Sequence, residues 1–302
     1  MRVLVLGANG FLGRRLVSHF ARSDWATPVA GVRRRAPAAA EQRIVDATDA
    51  AQLAAALDGV DAVVNCVSGD AATIVAGARA LFAAPATPRI VHLSSMAVYG
   101  DASGRIGEDA PLAGTDGYAG AKVEAERLAL ARGNVDVLRP GCIYGGGSPQ
   151  WSQRIADLLR ARRIGDLGAN GDGCSNVVHV DDVVAAIAAL LRRPGDAAAT
   201  LNLAMPQAPD WNDYFLAFAR AIGAVPLARI PDWRLKAETI AAVPLTLGRR
   251  MRLPVPAAIP PSLARLWRQD IRLDTGRAER TLGIAWTPLE AGLAEAAASI
   301  RA

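Results

Sequence analysis

Val3-Leu4-Val5-Leu6-Gly7-Ala8-Asn9-Gly10-Phe11-Leu12-Gly13 is the stretch that decides the fold. Its four leading apolar residues predict a strand buried on both faces. Glycines end that strand, and residues 11–22 carry the apolar spacing of a helix. Strand, glycine turn and helix together are the context in which a GxxGxxG spacing cradles a pyrophosphate. Glycine lets the backbone come close to a phosphate, and amides at a helix N-terminus meet its charge. Gly7, Asn9, Gly10, Phe11, Leu12 and Gly13 are therefore candidate dinucleotide contacts.

The same alternation continues outward. Short apolar runs at 28–32, 61–65, 89–93 and 135–138 predict strands, and 51–57, 71–82 and 118–131 predict helices. Strands separated by helices pair in parallel through crossovers, so the expected class is α/β, a doubly wound parallel Rossmann sheet. After Gly145-Gly146-Gly147 the rhythm changes. Helices are expected at 151–163, 181–193, 211–222, 277–282 and 289–300. Strands near 177–180 and 201–203 are expected to return to the main sheet. Residues 224–265 are apolar, basic and broken by prolines, with no regular element expected. The expected division is a nucleotide-binding domain over 1–145 and a smaller, mostly helical substrate domain over 146–302.

Composition narrows the class. With 302 residues, the chain can bury a large core. No apolar run approaches the roughly 20 residues of a membrane span, and the opening apolar stretch is too short for a signal-peptide core. A cytoplasmic protein with no membrane partner is expected. Cys66, Cys142 and Cys174 are widely spaced, as are His19, His92 and His179, so neither disulfide nor metal is expected. The net charge of +5 comes from scattered arginines without interleaved aromatics, which argues against nucleic acid. Only two of the 34 basic residues are lysines, Lys122 and Lys236.

The second strand ends in Gly31-Val32-Arg33-Arg34-Arg35, with no carboxylate to bind adenosine ribose hydroxyls. Arginine there can pair with a 2′-phosphate. Arg33 and Arg34 thus favour NADP(H), with NAD(H) the alternative.

Tyr118-Ala119-Gly120-Ala121-Lys122 opens a predicted helix, and residues four apart share a face. A phenol near pKa 10 next to an ammonium is shifted toward phenolate. It can then move the proton of an alcohol or carbonyl while hydride moves. Ser94-Ser95-Met96-Ala97-Val98-Tyr99-Gly100 follows a strand, at the sheet end where ligands bind.

With these parts in order, the chain resembles the extended short-chain dehydrogenase/reductase superfamily in its NAD-dependent epimerase/dehydratase branch. Asp46-Ala47, Leu138-Arg139-Pro140 through Tyr144-Gly145 and Val178-His179-Val180-Asp181-Asp182 add to the resemblance. It implies Tyr118 as acid/base, Lys122 as its activator and ribose ligand, and Ser95, four residues before Tyr99, as hydroxyl partner. It also implies Asp46 and Ala47 beside the adenine, and Cys66, Val67 and Ser68 along the cofactor. Pro140, Gly141 and Cys142 would lie near the nicotinamide. His179 is expected to serve a helix start rather than catalysis.

Many members of that branch act on nucleotide-diphosphate sugars, and this chain departs from their pattern. Cys142 stands in the slot of a diphosphate-binding Asn, Ser175 in that of a phosphate-binding Arg, and Asn65-Cys66-Val67-Ser68 where His-x-Ala-Ala is common. Arg154, Arg249 or Arg252 would have to substitute. The first expectation is hence an oxidoreductase acting on a non-nucleotide carbonyl or alcohol, with Trp233–Trp267 lining an apolar pocket. A sugar-nucleotide epimerase, dehydratase or reductase is the alternative, and a non-catalytic cofactor sensor the third reading. A homodimer is compatible with the resemblance.

Overall fold

The computed structural model describes residues 1–35, 40–85, 88–115, 117–195, 197–251 and 255–301. In chain order come β1 (Arg2–Leu6), α1 (Phe11–Ala21), β2 (Thr27–Val32), β3 (Glu41–Ile44), α2 (Ala50–Ala56), β4 (Ala62–Asn65), α3 (Ala71–Ala83) and β5 (Arg89–Leu93). Next are β6 (Gly104–Ile106), α4 (Gly117–Arg132), β7 (Val135–Pro140), β8 (Cys142–Tyr144), α5 (Arg154–Arg160), β9 (Val177–His179) and α6 (Val180–Arg192). The remainder is β10 (Thr200–Leu203), α7 (Trp211–Ile222), α8 (Asp232–Arg250), α9 (Pro261–Arg268), β11 (Ile271–Leu273), α10 (Gly276–Leu282) and α11 (Leu289–Arg301).

Seven strands form one parallel sheet in the order β10-β7-β5-β4-β1-β2-β3. β1 sits between β2 and β4, so the chain winds outward in both directions from it. That reversal opens a crevice at the C-terminal strand ends, between the turns that follow β1 and β4. Val3, Leu4 and Val5 are fully buried because helices cover both faces. Leu12, Leu16 and Phe20 of α1 pack with Val183, Ile187 and Leu190 of α6 on one face. Leu53, Ile74 and Leu81 lie on the other face with Ala121, Ala125 and Ala129 of α4. Those alanines recur every four residues, so α4 presents a small-residue stripe to α3. A further core gathers the aromatics of α7, Trp211, Tyr214, Phe215 and Phe218, around Trp267.

β10 returns to the main sheet beside β7 as expected. β9 does not: it pairs in parallel with β8 in a separate two-stranded sheet. The edge strand β3 escapes sequence reading because Glu41-Gln42-Arg43-Ile44 has no apolar alternation, and an edge strand needs little. The largest correction is α8, which forms across the supposedly irregular segment despite Pro244 in its interior. Buried Leu235 and Ala242 anchor it, as does the Arg163–Glu238 ion pair. Packing there overrides the helix-breaking tendency of proline. Among the described residues no helix is long and apolar enough to cross a membrane.

Candidate active site

The glycine turn leaves β1 through Gly7, whose φ of +79° suits glycine. A Cβ there would stand 2.9 Å from the Cys66 carbonyl oxygen, and one on Gly13 would stand 2.3 Å from the Gly7 oxygen. These contacts explain why the strand-to-helix turn is tight and why it leaves open floor beside it. That floor is where a pyrophosphate fits, so the residues present suit a dinucleotide.

Two cavities meet over this turn and share Gly7, Gly10, Cys66, Val67 and Ser68. The smaller, about 640 Å³, contains Asn9, Arg33, Arg34, Asp46 and Ala47. Arg33 and Arg34 are exposed. Asn9 Nδ2 donates to the Arg34 carbonyl at 3.3 Å, tying the second strand's end to the loop. Thr48 donates to the Asp46 carboxylate from its amide and hydroxyl, which with Arg33 holds Asp46 below the usual carboxylate range.

The larger cavity, about 1130 Å³, takes in Phe11, Leu12 and Gly13, then Ser95, Tyr118, Lys122, Pro140 and Cys142. All the expected contacts thus lie along one continuous trough. Ser95 caps the short turn after β5, where its Oγ accepts from the Ala97 amide at 3.2 Å. Burial raises the Tyr118 phenol above its usual range, against the opposing pull of the nearby Ser95 hydroxyl toward the phenolate. Tyr118 itself is 48% exposed, on the first turn of α4.

Lys122 is one helical turn further and only 3% exposed. Its Nζ donates to the Leu93 carbonyl at 2.6 Å and sits 5.8 Å from the Tyr118 ring centroid. Burial pulls the ammonium down to about 8, against the upward pull of Cys66 and Glu126. The cation is therefore fixed by the end of β5, not by the phenol oxygen. Cys66 and Cys142 face the trough as thiols, both pushed up by burial.

Sequence reasoning missed the polar layer beneath. Arg139 forms a buried ion pair with Glu126, and Ser94 Oγ donates to the same carboxylate at 2.6 Å. Arg139 also donates to Tyr99 Oη and to the Glu108 carbonyl, each at 2.7 Å. Tyr99 donates onward to Asn202 Oδ1 at 2.7 Å. This network clamps α4 to the ends of β5, β7 and β10. The available signal was spacing: Glu126 follows Lys122 by one more helical turn on the same face.

The far wall also differs from expectation. Of the segment Trp233–Trp267, only the C-terminal part lines the trough, through Pro260, Ser262, Leu263, Arg265 and Leu266, whereas Trp267 is fully buried against Phe215 and Trp233 is 70% exposed. Gln150, Trp151 and Arg154 complete this wall. Arg154 donates to Gln150 Oε1 and to the Ala258 carbonyl, and Arg265 lies 3.7 Å from the Asp101 carboxylate. Ser175 is fully buried and donates to the Pro209 carbonyl, away from the trough. Arg252 lies outside the described residues, as does the side chain of Arg249. His179 caps α6 by accepting from the Asp181 amide, as expected of a helix start.

Residues 3–204 match the family described as NAD dependent epimerase/dehydratase. The chain is 31% identical over 141 residues to protein YeeZ of Escherichia coli K12, covering 46% of this chain and 48% of that one. It is 30% identical over 189 residues to a 3 beta-hydroxysteroid dehydrogenase/Delta 5-->4-isomerase of Mycobacterium tuberculosis, covering 52% and 51%. The chain thus spans about half the length of the curated relatives it matches. Among solved structures, MoeE5 in complex with UDP-glucuronic acid and NAD is 25% identical with a TM-score of 0.74, covering 100% of this chain and 99% of that one.

Proposed function

Since this chain belongs to the NAD dependent epimerase/dehydratase family, we propose that it moves hydride between a nicotinamide cofactor and a carbinol carbon of a nucleoside-diphosphate sugar. The observation that carries this reading is the single trough. Ser95 and Tyr118 line it together with the glycine turn and with Arg154 and Arg265. Two guanidinium groups in the same trough suit a diphosphate better than an apolar body. They offset the missing donors at Cys142 and Ser175, and the MoeE5 complex holds a ligand of this chemistry.

Residues 1–145 would supply the nucleotide floor and 146–302 most of the sugar-nucleotide wall. Gly7, Asn9, Gly10, Phe11, Leu12 and Gly13 would hold the pyrophosphate. Asp46 and Ala47 would flank the adenine, Cys66, Val67 and Ser68 the cofactor's length, and Pro140 and Cys142 its nicotinamide end. Arg33 and Arg34 suit a 2′-phosphate, which favours NADP(H) over NAD(H). When bound, the nicotinamide takes or returns hydride. Tyr118 Oη removes the substrate hydroxyl proton or gives it back, and Ser95 Oγ hydrogen-bonds the same oxygen. Lys122 keeps a positive charge beside both and holds the cofactor ribose.

Tyr118→Phe should abolish turnover and leave cofactor affinity nearly unchanged. The deciding assay offers UDP-glucose and UDP-glucuronic acid, following sugar configuration and reduced cofactor together. Isomerisation or dehydration without net cofactor change supports the proposal. The second reading is a net oxidoreductase for an apolar alcohol, favoured by the loss of both usual diphosphate donors. Net cofactor reduction with a hydroxysteroid, and none with either sugar nucleotide, would establish it instead.

A further inference from the structure

α8 is amphipathic the wrong way round for a helix that merely covers a core. Its inner side is narrow: Leu235 and Ala242 are buried, Glu238 pairs with Arg163, and Arg234 donates to the Arg162 carbonyl at 2.9 Å. Its outer side carries Trp233, Ile240, Val243 and Leu247, exposed by 70%, 77%, 76% and 57%, and Met251 follows at 66%. Steps of seven, three, four and four residues put these side chains on one stripe. Half of the large apolar side chains exposed among the described residues lie here. Single exposed apolar residues need no explanation, but a contiguous stripe does.

Charge identifies what the stripe meets. Lys236 is exposed on the same face, one of only two lysines in the chain. From Thr239 to its last residue α8 has no carboxylate, and it closes with Arg249 and Arg250. Parallel two-fold pairing with a second copy would set Lys236 against Lys236 and the Arg249-Arg250 end against itself. An apolar stripe flanked by cations, with a tryptophan near one end, fits an anionic bilayer surface.

We propose that α8 lies flat on anionic membrane surfaces, its outer stripe among the acyl chains at the headgroup boundary and its cations among lipid phosphates. This is contact, not spanning, and it departs from the sequence expectation of no membrane partner. It does not depend on which substrate the trough takes. It does set the orientation of the enzyme: α8 packs on α9, and α9 forms part of the trough wall through Leu263, Arg265 and Leu266.

The test is co-flotation of the full chain with two sets of vesicles, phosphatidylcholine alone and phosphatidylcholine mixed with phosphatidylglycerol. Binding is expected only to the second set and should fall as salt is raised. Lys236→Glu reverses one charge and should weaken it on the order of tenfold. Ile240→Asp with Leu247→Asp should remove it, with thermal melting and cofactor binding unchanged as the check on folding. Failure to bind either vesicle, or binding unaffected by Lys236→Glu, overturns the proposal. So does a concentration-dependent dimer in light scattering that Ile240→Asp dissolves, since the stripe would then be a self-contact. If the aspartate variants do not fold, the vesicle comparison and Lys236→Glu still decide.

Discussion

The ammonium of Lys122 is held by the carbonyl of Leu93, at 2.6 Å, at the last residue of the strand that delivers Ser95. The cation on α4 and the hydroxyl after β5 are thus positioned by the same strand end. Displacing either element moves both.

Burial lowers Lys122 from 10.5 to about 8 in the folded protein. The folded state sheds this proton near pH 8, and the unfolded state keeps it until about 10.5. Between those values the unfolded state binds more protons, so this group adds stability as pH rises. The wild type should gain up to about 3 kcal/mol on Lys122→Met across that window. Urea unfolding of both proteins at a series of pH values measures it; a constant difference would show that the lysine is not desolvated.

The same titration should appear in binding. Cofactor affinity in the wild type should weaken above pH 8 as the cation is lost. In Lys122→Met it should be weaker throughout and flat across that range. Fluorescence titration at matched ionic strength is the measurement.

Glu126 is 0% exposed and accepts from both Ser94 and Arg139. Glu126→Gln leaves Arg139 as a buried cation without a counter-charge, which costs about 3–5 kcal/mol. The expected result is a much lower unfolding midpoint and a drop in kcat, since the strand carrying Ser94 and Ser95 loses its anchor. A midpoint within experimental error of wild type would mean that water, not Glu126, satisfies Arg139.

Gly13→Ala would place a methyl carbon 2.3 Å from the Gly7 oxygen. The turn must open or α1 must shift, at a cost of roughly 1–3 kcal/mol. Cofactor affinity should fall by at least tenfold while the far-UV spectrum is retained. Gly107→Ala, where nothing lies within 4 Å and the backbone is not left-handed, is the control in another loop.

Arg33→Ala should weaken NADPH binding tenfold or more and leave NADH nearly unchanged, if the guanidinium meets a 2′-phosphate. Equal affinities for the two cofactors in the wild type would remove the basis for assigning NADP(H).

The main sheet apart from its edge strand β3, together with the glycine turn and the Tyr118–Lys122 pair, was legible because each lies beside a strong local signal. Gly7 ends an apolar strand, and Tyr118 and Lys122 stand one helical turn apart. What stayed hidden depends on contacts distant in sequence. The pairing of β8 with β9 joins Cys142 to Val177. The Arg139–Glu126 clamp is visible only once α4 and β7 are neighbours. Arg265 looked like one arginine among many until the chain folded it onto the trough wall. α8 was read as irregular because Pro244 is a local signal, whereas the packing that overrides it is not.

The rim that follows Ser95 is completed by the other end of the chain. β6 pairs with β11, and Gln269 donates to the Gly100 carbonyl across a separation of 169 residues. At translation rates of about 5–20 residues per second, that partner leaves the ribosome on the order of ten to thirty seconds later. For that interval a nascent chain has its nucleotide floor and no finished rim, so its half-built pocket stays open to a chaperone.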